Sequence, residues 1–472
     1  MIRRILLGLA ISLSPICVHA ADRVTTLPPL PDVGEPFDVR KFCAVSVPDD
    51  KNAFTYYRRA ARAFVPLHKL VPASEQDKPQ FSPDRLLNNF LESIEEGWPH
   101  ANAITRRYLK ENEFALEIWK RGTDCDDALE IPPAELSIGK SLSSFHQPAR
   151  ELARLVWLEA QKVSGGKRPV DAWQWYRAVL RSSCHLSMHS ITIGHLVGCA
   201  LYDGTVFYAL RWAARPEIAA SDLRQALADT LAANAMMPPP SDSLKCDYLW
   251  SRTGIDGAIE AGARDLAPIL EHVGYRERMR RSLNLVYANL LSQADRPRYL
   301  RAPFCGKLGL FGPDPGAPRS PTVLSDKVFS DKVLSDAEIE RLILSVPGAD
   351  AQIMQYLAPP IGVVNSFDIQ RVRQSAFVLG LALQLNYREH RQFPATLDGL
   401  VKNGYLKSIP ADPFGKGEPF HYRRETNPQG GAVLWSVWTD GIDQQGKLDV
   451  WRDHSGGKGD RIYKIATPVP GT

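Results

Sequence analysis

Apolar residues recur at helical spacing along most of the chain, and the rhythm changes only near its end. Phe54, Tyr57, Ala61 and Phe64 fall on one face with arginines between them, which predicts a helix beginning near Asn52. The same spacing recurs over residues 103–119 (Tyr108, Leu109, Phe114, Ala115, Ile118), 149–163 (Leu152, Leu155, Val156, Leu158) and 170–180 (Trp173, Tyr176, Val179, Leu180). Residues 191–212 present a longer apolar face. Ser221 reads as the N-cap of a helix over 222–236, with Asp222 near the start, where the helix dipole favours an acid. The run Met236, Met237, Pro238, Pro239, Pro240 closes this block, and a further helical stretch follows over about 258–292. Short polar or proline-bearing loops join these helices, as in arrays of helical hairpins. The tetratricopeptide consensus is not found in register, so the array carries no named repeat.

Residues 302–322 are rich in Gly and Pro and predict a linker. It runs into a five-residue repeat over 323–336, whose period suits neither a helix face nor a strand face and predicts a surface loop. Ser335 and Glu338 form a capping box for a helix carrying Ile339, Leu342, Ile343 and Val346. Residues 367–389 then predict one long helix, apolar on most sides and therefore deeply buried, stopped by Pro394. After Pro410 the pattern becomes strand-like at 420–422, 433–437 and 462–465, between clusters of Gly, Asn, Pro and Asp. The expected fold is mainly α, a helical-hairpin array followed by a small α+β domain with a long helix on an antiparallel sheet. The expected organisation is a signal peptide over 1–20, an extended lead-in over 21–50, a helical domain over 51–301, a linker over 302–334 and an α+β domain over 335–472.

The first twenty residues carry Arg3 and Arg4, an apolar run from Ile5 to Leu13, and Val18 and Ala20 at the −3 and −1 positions of a cleavage site. This predicts a secretory signal cut after Ala20 and a mature chain in the periplasm or outside the cell. The apolar run is shorter than the roughly 20 residues a bilayer requires. Ser14, Pro15 and Ile16 before Cys17 make a poor lipoprotein signal. Loss of Arg3 and Arg4 takes the net charge from +4 to +2, too little to imply nucleic acid or an anionic membrane as partner. No later run reaches the roughly 18 apolar residues of a membrane span, so no transmembrane segment is expected in the mature chain. Of seven cysteines, Cys43, Cys125, Cys184, Cys199, Cys246 and Cys305 lie beyond the signal. Their pairing is open, and none forms a C-x-x-C motif.

The ending carries an ordered set of residues. Tyr387, Phe393-Pro394, Leu397 with Leu400, Gly404-Tyr405-Leu406, Pro410 with Asp412-Pro413-Phe414-Gly415, Pro419 with Tyr422, Ser436, and Asp440-Gly441 follow one another at short spacing. Over about 368–465, roughly a fifth of the chain, this resembles the globular region of the major pseudopilin of the type II secretion system. It also resembles exported bacterial proteins in which a helical region precedes the same ending. The resemblance implies a long helix packed on a small antiparallel sheet. A pseudopilin begins with its hydrophobic helix, whereas here the corresponding helix is internal, so a pilin-type filament is not expected.

In that family the last loop binds calcium. The matching positions here are Asp440, Asp443 and Asp460, in a loop that also holds Asp449 and Asp453. Calcium takes six to eight hard oxygens, and Gly441 and Gly446 allow the turns that wrap them around an ion. The spacing is not that of an EF-hand. The alternative is an acidic hairpin loop held by Asp-Gly turn chemistry, with Lys447, Arg452 and Lys458 supplying opposite charge.

Other candidates each have a plainer reading. His185 and His189 stand four apart, a spacing zinc can use, but no acid accompanies them in the H-E-x-x-H manner, and a polar helix stripe explains them. Glu92, Glu95 and Glu96 read as a solvated helix face. Trp173, Trp175 and Tyr176 read as packing rather than a sugar platform. No nucleophile elbow, phosphate-binding loop or dinucleotide fingerprint occurs. The expected function is a non-catalytic envelope protein that binds another envelope protein or an extracellular ligand. The alternative is a secreted or periplasmic hydrolase with a dispersed site in the helical part.

Overall fold

The computed structural model describes residues 30–71, 83–137, 145–260, 275–305, 310–311, 361–425, 430–450 and 458–468. Residues 1–20, expected to be a signal, the five-residue repeat and the capping box of Ser335 and Glu338 lie outside them. The described chain is mainly α-helical with a small three-stranded antiparallel sheet and a two-stranded ribbon.

The first helices are α1 (Val39–Cys43), α2 (Ala53–Ala63), α3 (Pro83–Glu96), α4 (Ala103–Glu111) and α5 (Glu113–Gly122). α2 starts where its pattern predicts, because Asn52 Oδ1 accepts the Phe54 N–H at 3.0 Å. That buried Asn52 also exchanges hydrogen bonds with the main chain of Leu129, fastening the helix start to a distant loop. Then come α6 (His146–Ser164), α7 (Ala172–His185), α8 (Thr192–Ala213), α9 (Ala220–Ala235), α10 (Pro240–Glu260) and α11 (Tyr275–Ala294). A two-stranded ribbon pairs β1 (Phe304–Cys305) with β2 (Leu310–Phe311). The ending holds α12 (Ile361–His390), α13 (Asp398–Lys402), β3 (His421–Arg424), β4 (Ala432–Ser436) and β5 (Arg461–Ile465).

Three sequence expectations need correction. The helix after residue 218 begins at Ala220, not after Ser221. Asp222 reaches back to accept the Ala219 N–H at 3.1 Å, so the acid does the capping and the serine does not. α10 fills residues left unassigned before 258. Pro240 sits in its first turn, where proline's missing N–H costs nothing, so the triple proline opens a helix as well as closing one. The lead-in is not wholly extended: it holds α1, and Leu30 is buried with Tyr248, Leu283 and Tyr287 in a second apolar cluster.

The long helix and three strands fall where the pattern placed them. The sheet order is β3-β4-β5, all antiparallel, with Leu434 opposite Tyr422 on one side and Tyr463 on the other. Every residue of the central strand β4 is buried. The five cysteines whose side chains are described (Cys43, Cys125, Cys184, Cys199 and Cys246) are all free thiols.

The two stretches of sequence share one apolar core. It runs from Tyr57 and Trp119 through Leu155, Val179 and Trp212 to Phe377, Leu381, Leu434 and Ile465. α12 is clasped between α8 and α9 on one side and the sheet on the other. Phe377 lies against both Trp173 and Tyr202. A Cβ on Gly380 would stand 2.7 Å from Leu210 of α8 and 3.2 Å from Ile465 of β5, so glycine sets the closeness of this crossing. Arg388 seals the end of α12 by donating to the carbonyls of Ile218 (2.9 Å) and Ala213 (3.1 Å). Truncating a fully buried aromatic such as Phe377 costs about 3–5 kcal/mol. The loss would fall on both stretches at once.

Candidate functional site

The family-like residues of the ending form a brace. Asp412 is wholly buried; its Oδ1 accepts the Phe414 N–H (3.0 Å) and the Ser436 hydroxyl (2.8 Å), and its Oδ2 accepts the Val437 N–H (3.0 Å). Burial pushes its carboxyl above the usual range, against those three donors. Tyr422 donates to the Pro394 carbonyl at 2.8 Å, and Tyr387 packs on Phe393 with ring centres 4.9 Å apart. The motif thus ties the turn after α13 to the end of β4.

The acidic loop lies beside this brace. Asp440 Oδ1 accepts the Ile442 N–H, and its Oδ2 accepts the Gly459 N–H (3.0 Å) and the Gln444 amide (3.1 Å). Asp443 Oδ1 accepts the Trp435 indole N–H (2.9 Å) and the Gln445 N–H (2.7 Å). Asp460 accepts from Gln444 N (3.3 Å) and Gly446 N (2.8 Å). Burial works against ionisation of Asp443, yet the indole, the Gln445 N–H and nearby His421 together hold its carboxyl below the usual range. Burial raises Asp460; two N–H donors oppose this, and the charges of Asp443 and Asp440 add to it.

The structure therefore brings the three predicted aspartates into one electrostatic neighbourhood, but each is already taken up by the loop's own donors. Among the described residues no group of three or more His, Cys, Asp or Glu side chains is placed to hold a metal. Asp453 lies outside the described residues. One feature points toward a cation: Gln444 Oε1 is buried without a hydrogen-bond partner.

His185 and His189 do not share a face, because α7 ends at His185. His189 adopts a left-handed backbone (φ 47°), and its N–H donates to Asp242 Oδ2 at 2.9 Å. His185 is fully buried. Its Nε2 must donate to the Cys125 carbonyl (2.9 Å), so Nδ1 accepts the Tyr57 hydroxyl (2.6 Å). Glu92, Glu95 and Glu96 are exposed on α3. Trp173, Trp175 and Tyr176 are all buried; the Trp173 indole stacks on Trp212 and donates to Asp229 at 2.8 Å.

Sequence reasoning missed a second polar chain. On α8, the Cys199 thiol lies 3.2 Å from His195 Nε2, and His195 Nδ1 lies 3.2 Å from the Ser187 hydroxyl. Ser187 in turn donates to the Ser183 carbonyl, which fixes the direction of every proton in the chain. The i, i+4 spacing of His195 and Cys199 was the available signal. The pair resembles a nucleophile and its base, but burial pushes the thiol up to about 12. Burial, with Arg371 adding to it, pushes the imidazole down to about 3. The thiol stays protonated and the imidazole neutral, the opposite of an activated pair.

Also missed was a charge cluster between the two stretches of sequence. Asp368 on α12 is fully buried and takes Arg301 in two parallel bonds (2.8 and 3.0 Å). Arg298 approaches the same carboxylate at 3.3 Å and Arg371 at 3.6 Å. Three guanidinium groups thus surround one carboxylate.

Compared with known proteins, the chain matches no family model, no curated protein and no solved structure.

Proposed function

We propose that this is an exported envelope protein that binds or scaffolds rather than catalyses, with a type II secretion pseudopilin-like ending built into its core. The observation that carries the reading is the position of α12. A pilin-type helix must offer an apolar face to neighbouring subunits, whereas this helix buries Phe377, Leu379, Leu381 and Leu383 within its own chain. The ending thus serves as a clasp for the helical array, and the hairpin-like helices carry the binding surface. The protonated, buried Cys199 and the neutral His195 support a non-catalytic role over the hydrolase alternative.

The test is recovery of the tagged chain from the native envelope after cross-linking. The reading requires a mature chain starting at Ala21 and a defined cross-link to an envelope partner. Cytoplasmic chain retaining residues 1–20, or a hydrolytic activity lost in Cys199→Ala, would overturn it.

Calcium belongs to the proposal as the ion of the acidic loop, favoured by the crowding of Asp440 and Asp443 on Asp460 and by the bare Gln444 Oε1. An ion that binds only the fold stabilises it by about 2.7 kcal/mol at 100 times its dissociation constant. The full mature chain should melt higher in millimolar calcium than in chelator, and Asp440→Ala and Asp443→Ala should each remove the difference. Equal midpoints for the wild type would leave the loop as turn chemistry alone.

A further inference from the structure

A cavity of about 470 Å³ opens between α9, α12, the segment after α11 and the Pro410–Pro413 turn. Its size falls in the range of small-molecule sites, roughly 300–1,000 Å³. Two kinds of surface meet in it. One wall is apolar, with Leu231, Val378 and Pro413. The other is lined by Arg371, Gln374 and Asn234, whose side chains carry N–H donors. Donors are in excess there. The nearest acid to the Arg371 guanidinium is Asp368 at 3.6 Å, beyond hydrogen-bond reach, and the charge of Asp295 also acts on it. One turn further on, Gln374 Nε2 is buried with no hydrogen-bond partner. Asn234 Oδ1 is occupied by the Tyr202 hydroxyl, leaving its amide N–H groups to donate.

The acids nearby are already occupied. Asp368 is bound bidentately by Arg301. Asp295 on the cavity wall accepts the Ser241 N–H (2.9 Å) and hydroxyl (2.6 Å). With Arg298 and Arg371 against Asp295, the cavity lining is net positive. Arg371 shares Asp368 with two other guanidinium groups and makes no hydrogen bond to it, and a planar carboxylate would give it two parallel bonds.

We propose that this cavity binds a carboxylate carried on a small apolar body, of the kind found at the C-terminus of a peptide ending in an aliphatic residue. Arg371 and Gln374 would grip the carboxylate, and Leu231, Val378 and Pro413 would cover the side chain. The proposal deepens the binding-protein reading and rests on it.

Isothermal titration of the full mature chain with N-acetyl-leucine tests it, with N-acetyl-leucine amide and inorganic phosphate as comparison probes. N-acetyl-leucine should bind, and the uncharged amide should bind at least about tenfold more weakly, the worth of a charged hydrogen bond. Arg371→Gln should abolish binding. Gln374→Glu places a competing carboxylate one turn from Arg371, so it should abolish binding while leaving the melting temperature unchanged or higher. That variant decides the matter if Arg371→Gln does not fold. No binding by the wild type, equal binding of the amide, phosphate binding as tightly as N-acetyl-leucine, or full binding by Gln374→Glu would each overturn the proposal. Failure here is separable from failure of the envelope reading, because cross-linking to a partner does not depend on this cavity.

Discussion

Two polar regions face each other across the contact of α8 with α12, and they differ in what is left over. In the chain Cys199, His195, Ser187 and Ser183, each donor has an acceptor and the chain ends on a main-chain carbonyl. Around Asp368 the guanidinium groups outnumber the carboxylate, and Arg371 and Gln374 keep donors without acceptors beside a cavity. The first region has the residue types of an active site and none of its spare capacity. The second has ordinary surface residue types, yet its unspent hydrogen-bonding capacity makes it the place for a ligand. Residue chemistry alone does not mark a site; an unmatched donor beside open volume does.

The largest test of this contrast is Asp368→Asn. Removing the carboxylate leaves the nearly buried Arg301 without its counter-charge, and breaking a buried pair in this way costs about 3–5 kcal/mol. Urea unfolding measures it; a loss below about 1 kcal/mol would mean that the three arginines are held by solvent instead.

Acid should produce the next largest effect. Burial, reinforced by a nearby arginine in each case, pushes both His185 and His195 down to about 3 from 6.5. The unfolded chain therefore takes up protons below about 6.5 that the fold refuses, and this stability, complete above that pH, is lost as pH falls toward 3. Asp247 works in the other sense. Burial, against the Thr192 hydrogen bonds, raises it to about 6 from 3.8, so its contribution is present below its unfolded value and is lost as pH rises through 6. Together the three groups should make the protein about 3 kcal/mol less stable at pH 4.5 than at pH 7. A flat profile in urea unfolding would show that the imidazoles are not dry.

Cys199→Ala should have the smallest effect, about 1–3 kcal/mol at most, because His195 Nε2 loses its donor while the site stays closed. Thiol labelling sharpens the point: Cys199 should react only after denaturant is added. Rapid labelling of the native protein would contradict the dry chain.

Much of the fold was legible because its signals are local. α12 follows from a long apolar run stopped by Pro394, the three strands from short apolar runs between clusters of Gly, Asn, Pro and Asp, and α2 from Asn52 before an amphipathic run. α10 was not legible, since its apolar residues form no clean stripe and a triple proline reads first as a stop. The candidate site was mostly illegible, for a different reason. Arg301 and Asp368 lie 67 residues apart, and nothing in either neighbourhood points to the other. The acidic loop was visible as a cluster of aspartates, but sequence does not say that their oxygens are taken up by Ile442, Gln445 and Gly446 N–H groups. Gly380 reads as a weak point in a helix, whereas its role is the close approach of Leu210 and Ile465.

The central claim is that the helical array and the α+β ending share one core, with α12 as the common element. Expression of residues 21–301 alone, and together with 335–472 as a separate chain, tests this most directly. The shared core predicts no cooperative unfolding transition for 21–301 by itself, and its recovery when the second fragment is present. A cooperative transition for 21–301 alone, at the midpoint of the intact chain, would contradict the claim and make the ending an appended module.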